Sequence, residues 1–333
     1  VHINVLEYVE HAAQILSEGC QAYTKQLYKV FAAPADRFKT TEFQVILDTA
    51  DIRLIGDRYD RKMRAANAEL FSLSKSEKGT ELVITLLVEK EKVKIPQDVV
   101  MRIITDALKD IIFGHLFPNP FIASAERTGA AIFRKELNFA RNRLLKEVSQ
   151  ADKNVDAMEL VSTLFNAYPD YALPVETNVD FTRQLETIFK RNSFIAKKYP
   201  KVLTDFADII GGEYTVTRHD ELYYVPKGKR IRLSMDESSS AVRSLLDIGF
   251  YLRHIAKPGD LLMVDEPELN LHPENQRRVA RLFARLVNLG VKVFITTHSD
   301  YIIKELNTLI MLNHDKPHLK QIAEKEGYRG EEL

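Results

Sequence analysis

Two short apolar runs stand out in the pattern of the last third of the chain. Leu261–Val264 is followed by two adjacent carboxylates, Asp265 and Glu266, and Val291–Thr297 ends at His298. Runs of this length, bounded by polar residues, read as strands buried on both faces. Between them, a stretch from about 273 to 289 sets Val279, Leu282, Phe283 and Leu286 on one face at helical spacing. A helix from about 300 and a strand TLIML at 308–312 continue the alternation. Strand–helix–strand order with continuous apolar strands predicts an α/β fold whose parallel sheet is covered by helices on both faces.

The remaining pattern divides into further regions. Residues 3–32 read as helix, with Val5, Tyr8, Ala12, Ile15 and Leu16 as its apolar positions, and Pro34 breaks it. From Phe43 to Ile95 the runs FQVILDTADIRLIG and TELVITLLVEKEKVKI read as strands on either side of a polar SLSKSEKG turn. Pro96 to Leu116 returns to helix, ended by Pro118 and Pro120. Residues 131–210 are mostly helical by pattern, with AIFRKELNFARNRLLKEV and FTRQLETIFKRNSFIAKKY as amphipathic stretches too short for a long coiled coil. From Gly211, EYTVTR, ELYYVP and RIRLSM alternate around turns at His219–Asp220 and Lys227–Gly228. The expected organisation is thus 1–130, a helical insertion over 131–210, and 211–333, with the first and last segments forming one head.

Composition bounds the function modestly. A chain of 333 residues with 45% apolar content can bury a large core. Its 47 basic and 47 acidic side chains cancel, so no global field draws it to nucleic acid or membrane. The single cysteine, Cys20, excludes an internal disulfide framework and suits a reducing cytoplasm. No apolar stretch approaches the roughly 18 residues of a membrane span.

The strand-end carboxylates carry the chemistry. A buried strand delivers its last side chains to the sheet edge, where Asp265 can hold the water shell of Mg²⁺ and Glu266 can orient and deprotonate an attacking water. His298, just beyond the next strand, would reach the γ-phosphate of ATP. The plainer alternative is that the two acids end a strand and cap a turn. Upstream, Ser238, Ser239 and Ser240 precede an amphipathic segment bearing Val242, Leu245, Leu246 and Leu252. Hydroxyls and free N–H groups at a helix start suit a phosphate, and Ser equally well caps its own helix.

The run LLMVDEPELNLHPENQRRVARLFARLVNLGVKVFITTHSDYIIKELN resembles the second half of an ABC-type ATPase head, in the branch shared by SMC-like repair ATPases and OLD-type proteins. ITTHSDYI and the NTLIML segment are closest to the ATPase subunits of bacterial anti-phage systems such as Septu and some retrons. The resemblance implies an ABC-type head, with a parallel core, an antiparallel β lobe and a helical insertion. It makes Leu261–Glu266 the Walker B strand, Glu268–Pro273 a D-loop including Asn270, and His298 the switch histidine. It places the signature motif at Ser238–Ser240, with Ser240 where a glycine is usual. ATP and Mg²⁺ are the implied ligands, Asp265 meeting the metal through water. The implied partners are a second copy of the head and an HNH-type nuclease subunit. FIASAERTG, residues 121–129, is similar to an ERSG segment of this branch. Glu126 or Arg127 would then face the nucleotide or the opposite head, or else form a surface ion pair.

One element is missing. No stretch fits G-x-x-x-x-G-K-[ST], and Gly228–Lys229 lies in a PKGKR turn without the flanking pattern. Either the phosphate-cradling Walker A loop lies outside residues 1–333, which the retained Asp265, Glu266 and His298 favour, or the head has lost nucleotide binding.

Basic residues cluster at Arg277, Arg281 and Arg285, an expected exposed row, at Arg58, Arg61, Lys62 and Arg64, and at Lys190, Arg191, Lys197, Lys198 and Lys201. Interspersed acids make solvated faces the simpler reading, so DNA or RNA binding is open but not supported by charge. Nine scattered histidines show no zinc spacing, and no acidic cluster outside the Walker B pair suggests a nuclease centre. Two alternatives stay open: an OLD-type ATPase whose TOPRIM nuclease lies beyond Leu333, and a non-hydrolysing scaffold for a partner.

Overall fold

A computed structural model describes residues 1–48, 52, 54, 57–65, 68–87, 97–134, 136, 171–217 and 221–333. These form two compact units, Val1–Tyr28 with Ala33–Pro118, and Lys29–Ala32 with Asn119–Leu333. Most of the stretch AIFRKELNFARNRLLKEV, and the turn at His219–Asp220, lie outside the described residues. Among the described residues no helix is long and apolar enough to cross a membrane.

The first unit is an antiparallel sheet with helices on it. Strands β1 (His2–Asn4), β2 (Tyr59–Ala65), β3 (Ala68–Lys75) and β4 (Glu81–Leu86) pair in the order β1-β4-β3-β2. Phe71 and Leu73 alternate to the buried face of β3, and Leu82 on β4 joins them. Helix α3 (Gln97–Phe113) contributes Ala107, Leu108, Ile111 and Ile112 to the same core at i, i+1, i+4, i+5 spacing. The strand-rich region expected from Phe43 is therefore real but shifted. Residues 43–48, read as strand, carry no regular structure, and the SLSK of the expected turn completes β3. The single helix expected over 3–32 is also corrected. It begins as strand β1 and splits at His11 into α1 (Val5–Glu10) and α2 (Ala12–Thr24). Asn4 caps α1, and the β1–β4 pairing outweighs helical propensity at the first residues.

The second unit is α/β, as the sequence pattern predicts. Strand β5 (Pro120–Ala123) pairs in parallel with β8 (Leu261–Asp265), and β8 pairs in parallel with β9 (Lys292–Thr296). Helix α4 (Arg127–Ile132) follows β5, and α5 (Leu173–Arg183), α6 (Leu185–Ile188), α7 (Phe194–Lys198) and α8 (Pro200–Ile210) follow in turn. The segment led by the serines forms α9 (Ser240–Ser244), α10 (Leu246–Phe250) and a π-helical turn, Tyr251–Ile255. Helix α11 (Pro273–Asn288) is the crossover between β8 and β9, its Val279, Leu282, Phe283 and Leu286 buried against the sheet. Leu262 and Val264 on central β8 are fully buried, and each contributes roughly 1.5–3 kcal/mol by leaving water.

Two glycines matter here. Gly211 takes a left-handed φ of 71° to end α8. Gly249 lets α10 approach so closely that a Cβ would sit 2.7 Å from ring carbons of both Phe206 and Tyr214.

Three expectations in this unit are corrected. TLIML does not form a strand, because α12 (Asp300–Leu312) runs straight through it and buries Ile302, Glu305, Leu309 and Leu312 at helical spacing. RIRLSM does not add a third strand to the hairpin of β6 (Gly212–Val216) and β7 (Leu222–Pro226). It makes one bridge, Tyr224 to Leu233. The sheet is not covered evenly, since β9 is at its edge and Phe294 is 52% exposed.

Candidate active site

The carboxyl end of β8 is where the site assembles. The β8–β9 ladder runs on past Asp265, with the Glu266 amide donating to the Thr296 carbonyl at 3.0 Å. The Thr296 hydroxyl donates to Asp265 Oδ1, which fixes that carboxylate at the sheet edge. Glu266 then turns with a left-handed φ of 46°. This is a strained conformation for a residue with a Cβ, costing on the order of 1–2 kcal/mol, and Pro267 follows it. His298 leaves β9 on the same edge, with Nε2 4.0 Å from Glu266 Oε1, and its side chain is 90% exposed. The structure thus brings Asp265, Glu266 and His298 together.

Glu268 braces this edge. Its Oε1 accepts the His298 amide at 2.7 Å and its Oε2 the Thr297 hydroxyl at 2.7 Å. Thr297 Oγ1 in turn accepts the Ser299 amide at 3.0 Å, and Ser299 caps α12 while donating to Gln276 Oε1. Asn270, exposed, turns the loop with a φ of 60°, a conformation asparagine tolerates better than most residues. His272 caps α11 just beyond it.

Behind the carboxylates lies a polar cluster of which sequence reasoning singled out Arg127 alone, in a different role. Arg127 has no exposed surface. Its guanidinium donates to four carbonyls: Nε to Ser244 at 2.7 Å, Nη1 to Ser124 at 2.8 Å and to Asp265 at 2.6 Å, and Nη2 to Glu266 at 2.8 Å. It neither faces outward nor forms a surface ion pair, whereas neighbouring Glu126 is exposed. Burial lowers the Arg127 pKa, while the charges of Asp247, Asp265, Glu268 and Glu266 act in the opposite direction.

Asp247, on α10, is also buried. Its Oδ2 accepts from Asn178 Nδ2 at 2.6 Å, and Asn178 bonds onward to the backbone of β5 and the loop after it. Burial pushes the Asp247 carboxyl up to about 7, with the Arg127 charge opposing the shift. Arg127 was legible only through the FIASAERTG resemblance, and Asp247 shows only as one acid inside an apolar helix.

The three serines stand apart from the carboxylates among the described contacts. Ser239 caps α9 by accepting the Val242 amide at 3.3 Å, and buried Ser238 donates to the Ser234 carbonyl at 2.7 Å. Ser240 begins the helix, half-buried. The helix-capping role weighed for them is therefore present.

The expected exposed arginine row is not one. Arg277 is exposed, but Arg281 bonds Glu305 at 2.6 Å and lies 4.1 Å over the Tyr328 ring, and buried Arg285 pairs with Asp205 and with Glu331 at 2.6 Å. A cleft of about 490 Å³ runs along these ion pairs. It lies away from Asp265 and Glu266 and its arginines are matched by acids, so the strand-end chemistry, not cavity size, marks the candidate site.

A single carboxylate beside a hydroxyl and a second carboxylate suits Mg²⁺, which keeps most of its waters and takes one or two protein oxygens plus substrate phosphates. No group of three or more His, Cys, Asp or Glu able to cage a metal occurs among the described residues. The phosphate cradle has no counterpart in the sequence of residues 1–333.

An open parallel sheet with acids at the carboxyl end of its central strand is the architecture of nucleotide-dependent α/β ATPases. Residues 28–303 match the AAA ATPase domain family, and the chain belongs to that family. Among solved structures, the chain is similar to the Smc head domain with an extended coiled coil bound to the C-terminal domain of ScpA, derived from Pyrococcus furiosus. That similarity amounts to 16% identity over 72% of this chain and 68% of that one, with a TM-score of 0.25. No curated protein matches the chain.

Proposed function

We propose that this chain is an ATP-hydrolysing head that closes on nucleotide with a second copy of itself. The observation that carries the reading is the junction of Asp265, Glu266 and His298 at the end of adjacent parallel strands. Glu266 takes a proton from water as its oxygen bonds to the γ-phosphorus, the bond to the β-phosphate oxygen breaks, and ADP and phosphate leave. Asp265 would hold Mg²⁺ through water, and the ion would supply charge neutralisation at the phosphates. His298 hydrogen-bonds the γ-phosphate, and Glu268 and Asn270 shape the loop beside it. Ser238–Ser240 at the start of α9 close on the nucleotide of the opposite head. A ligand that bridges two subunits stabilises their association, so ATP favours the closed pair and hydrolysis releases it. The reading requires a phosphate-cradling loop from outside residues 1–333.

The motifs LLMVDEPELNLHPENQ and ITTHSDYI support a finer assignment within the OLD-type branch, nearest the ATPase subunits of Septu-like systems. In that assignment the head would control an associated HNH-type nuclease in bacterial anti-phage defence, in the cytoplasm. The test is Mg²⁺-dependent ATP turnover by the complete protein beside Glu266→Gln. Turnover should fall on the order of 10²–10⁴-fold in the variant while a nucleotide-bound dimer accumulates. Equal rates would remove Glu266 from the mechanism, and absence of ATP binding by the wild type would leave the scaffold reading.

A further inference from the structure

We propose that Arg127 is a positioning residue that locks the serine-led helix to the catalytic end of β8, so that the two half-sites carried by one head move as a unit. The inference rests on the ATPase reading above. Its basis is the set of carbonyls the guanidinium holds: Asp265 and Glu266 at the end of β8, Ser124 after β5, and Ser244 at the end of α9. Three segments far apart in sequence meet on one planar fork, four of whose bonds are between 2.6 and 2.8 Å.

Two features make the clamp more than a buried ion. The Glu266 carbonyl it holds belongs to the residue with the left-handed φ of 46°, so the fork helps retain the backbone turn that aims the Glu266 carboxylate. The Ser244 carbonyl it holds is the last of α9, where the helix gives way to α10 through Leu245 at φ −101°. A displacement of α9 as a second head docks on Ser238–Ser240 therefore pulls on the same fork that holds Asp265 and Glu266. Ser124 Oγ, Thr128 Oγ1 and Asp247 Oδ1, buried around the arginine, have no partner among the described residues. Backbone carbonyls thus take all four of the arginine's bonds, while Asp247 acts on it through charge alone. Lysine, with three donors on one nitrogen, cannot replace a planar fork that bonds four carbonyls at once.

The experiment compares the complete protein with Arg127→Lys and Arg127→Gln, measuring kcat, KM for ATP and the Hill coefficient for ATP. Val279→Ala, a core cavity outside the clamp, serves as a control for lost stability. Expected are a kcat lower on the order of 10²-fold, a KM close to wild type, and loss of any cooperativity, with the control keeping wild-type kcat. Folded Arg127 variants with wild-type kcat and cooperativity would overturn the inference.

If neither variant folds, amide hydrogen exchange of the wild type with and without a non-hydrolysable ATP analogue decides it. Exchange at 244–248 and at 265–269 should change together, and a change at one segment alone would overturn the clamp. Absence of ATP turnover in the wild type is a separate outcome, which removes the ATPase reading and this inference with it.

Discussion

Glu268 and His298 are joined through the backbone and not through the imidazole: the carboxylate accepts the His298 amide at 2.7 Å and leaves the exposed ring beside Glu266, 4.0 Å from its Oε1. The same carboxylate takes the Thr297 hydroxyl, so one side chain sets the direction of the loop that presents the histidine. Glu268→Gln retains one acceptor oxygen where two are used. Hydrogen bonds to a charged group contribute about 1.5–3 kcal/mol, so losing one should loosen the loop and lower stability by up to about that amount. The expected result is ATP turnover lowered about ten-fold or more, with faster amide exchange at 297–299. Unchanged exchange there would show that Glu268 is not the brace.

Asp247 makes stability depend on pH in a defined direction. Its carboxyl ionises near 3.8 in the unfolded chain and at about 7 when buried, so between those values the folded state holds the proton that the unfolded state has lost. Its contribution is complete below about pH 4, and stability falls as pH rises toward 7, by at most about 1.4 kcal/mol per pH unit from this one group. Asp247→Asn, neutral throughout, should flatten the decline of Tm across pH 5–7 relative to wild type. An identical profile in the variant would mean that Asp247 stays ionised, paired with Arg127.

Gly249→Ala tests the approach of α10. Alanine gains up to about 1 kcal/mol of helix propensity, but its methyl would sit 2.7 Å from ring carbons of Phe206 and Tyr214. Overpacking of this kind costs about 1–3 kcal/mol, so the urea midpoint should fall with the slope unchanged. A raised midpoint would show that the rings can move aside.

The arginines of α11 should separate sharply. Arg277→Ala removes an exposed pair with Glu274 and should change stability by under about 0.5 kcal/mol. Arg285→Ala strips one partner from Asp205 and leaves a buried hole, with an expected loss of about 3 kcal/mol, softened where Arg329 still holds Asp205 at 2.7 Å. Equal midpoints for the two variants would contradict the burial of Arg285.

Much of the second unit was legible in the amino-acid sequence, for local reasons. LLMVDE and VKVFITT read as strands because short continuous apolar runs suit a parallel sheet, although β9 is half exposed at the sheet edge, and α11 read as a helix because its apolar residues share one face. The candidate site followed, since a strand's direction alone puts Asp265 and Glu266 at its carboxyl end. What local pattern could not convey was which competing partner a segment would meet. TLIML has strand-like composition, yet it continues α12 because Ile302, Leu309 and Leu312 reach the core only as a helix. Residues 2–4 pair with β4 across nearly eighty positions before any helix begins. Arg127, Asp247 and Arg285 carry charges that composition assigns to the surface. They are buried because backbone carbonyls and opposite charges from distant segments converge on them, and only the packed tertiary structure brings those groups within hydrogen-bonding distance.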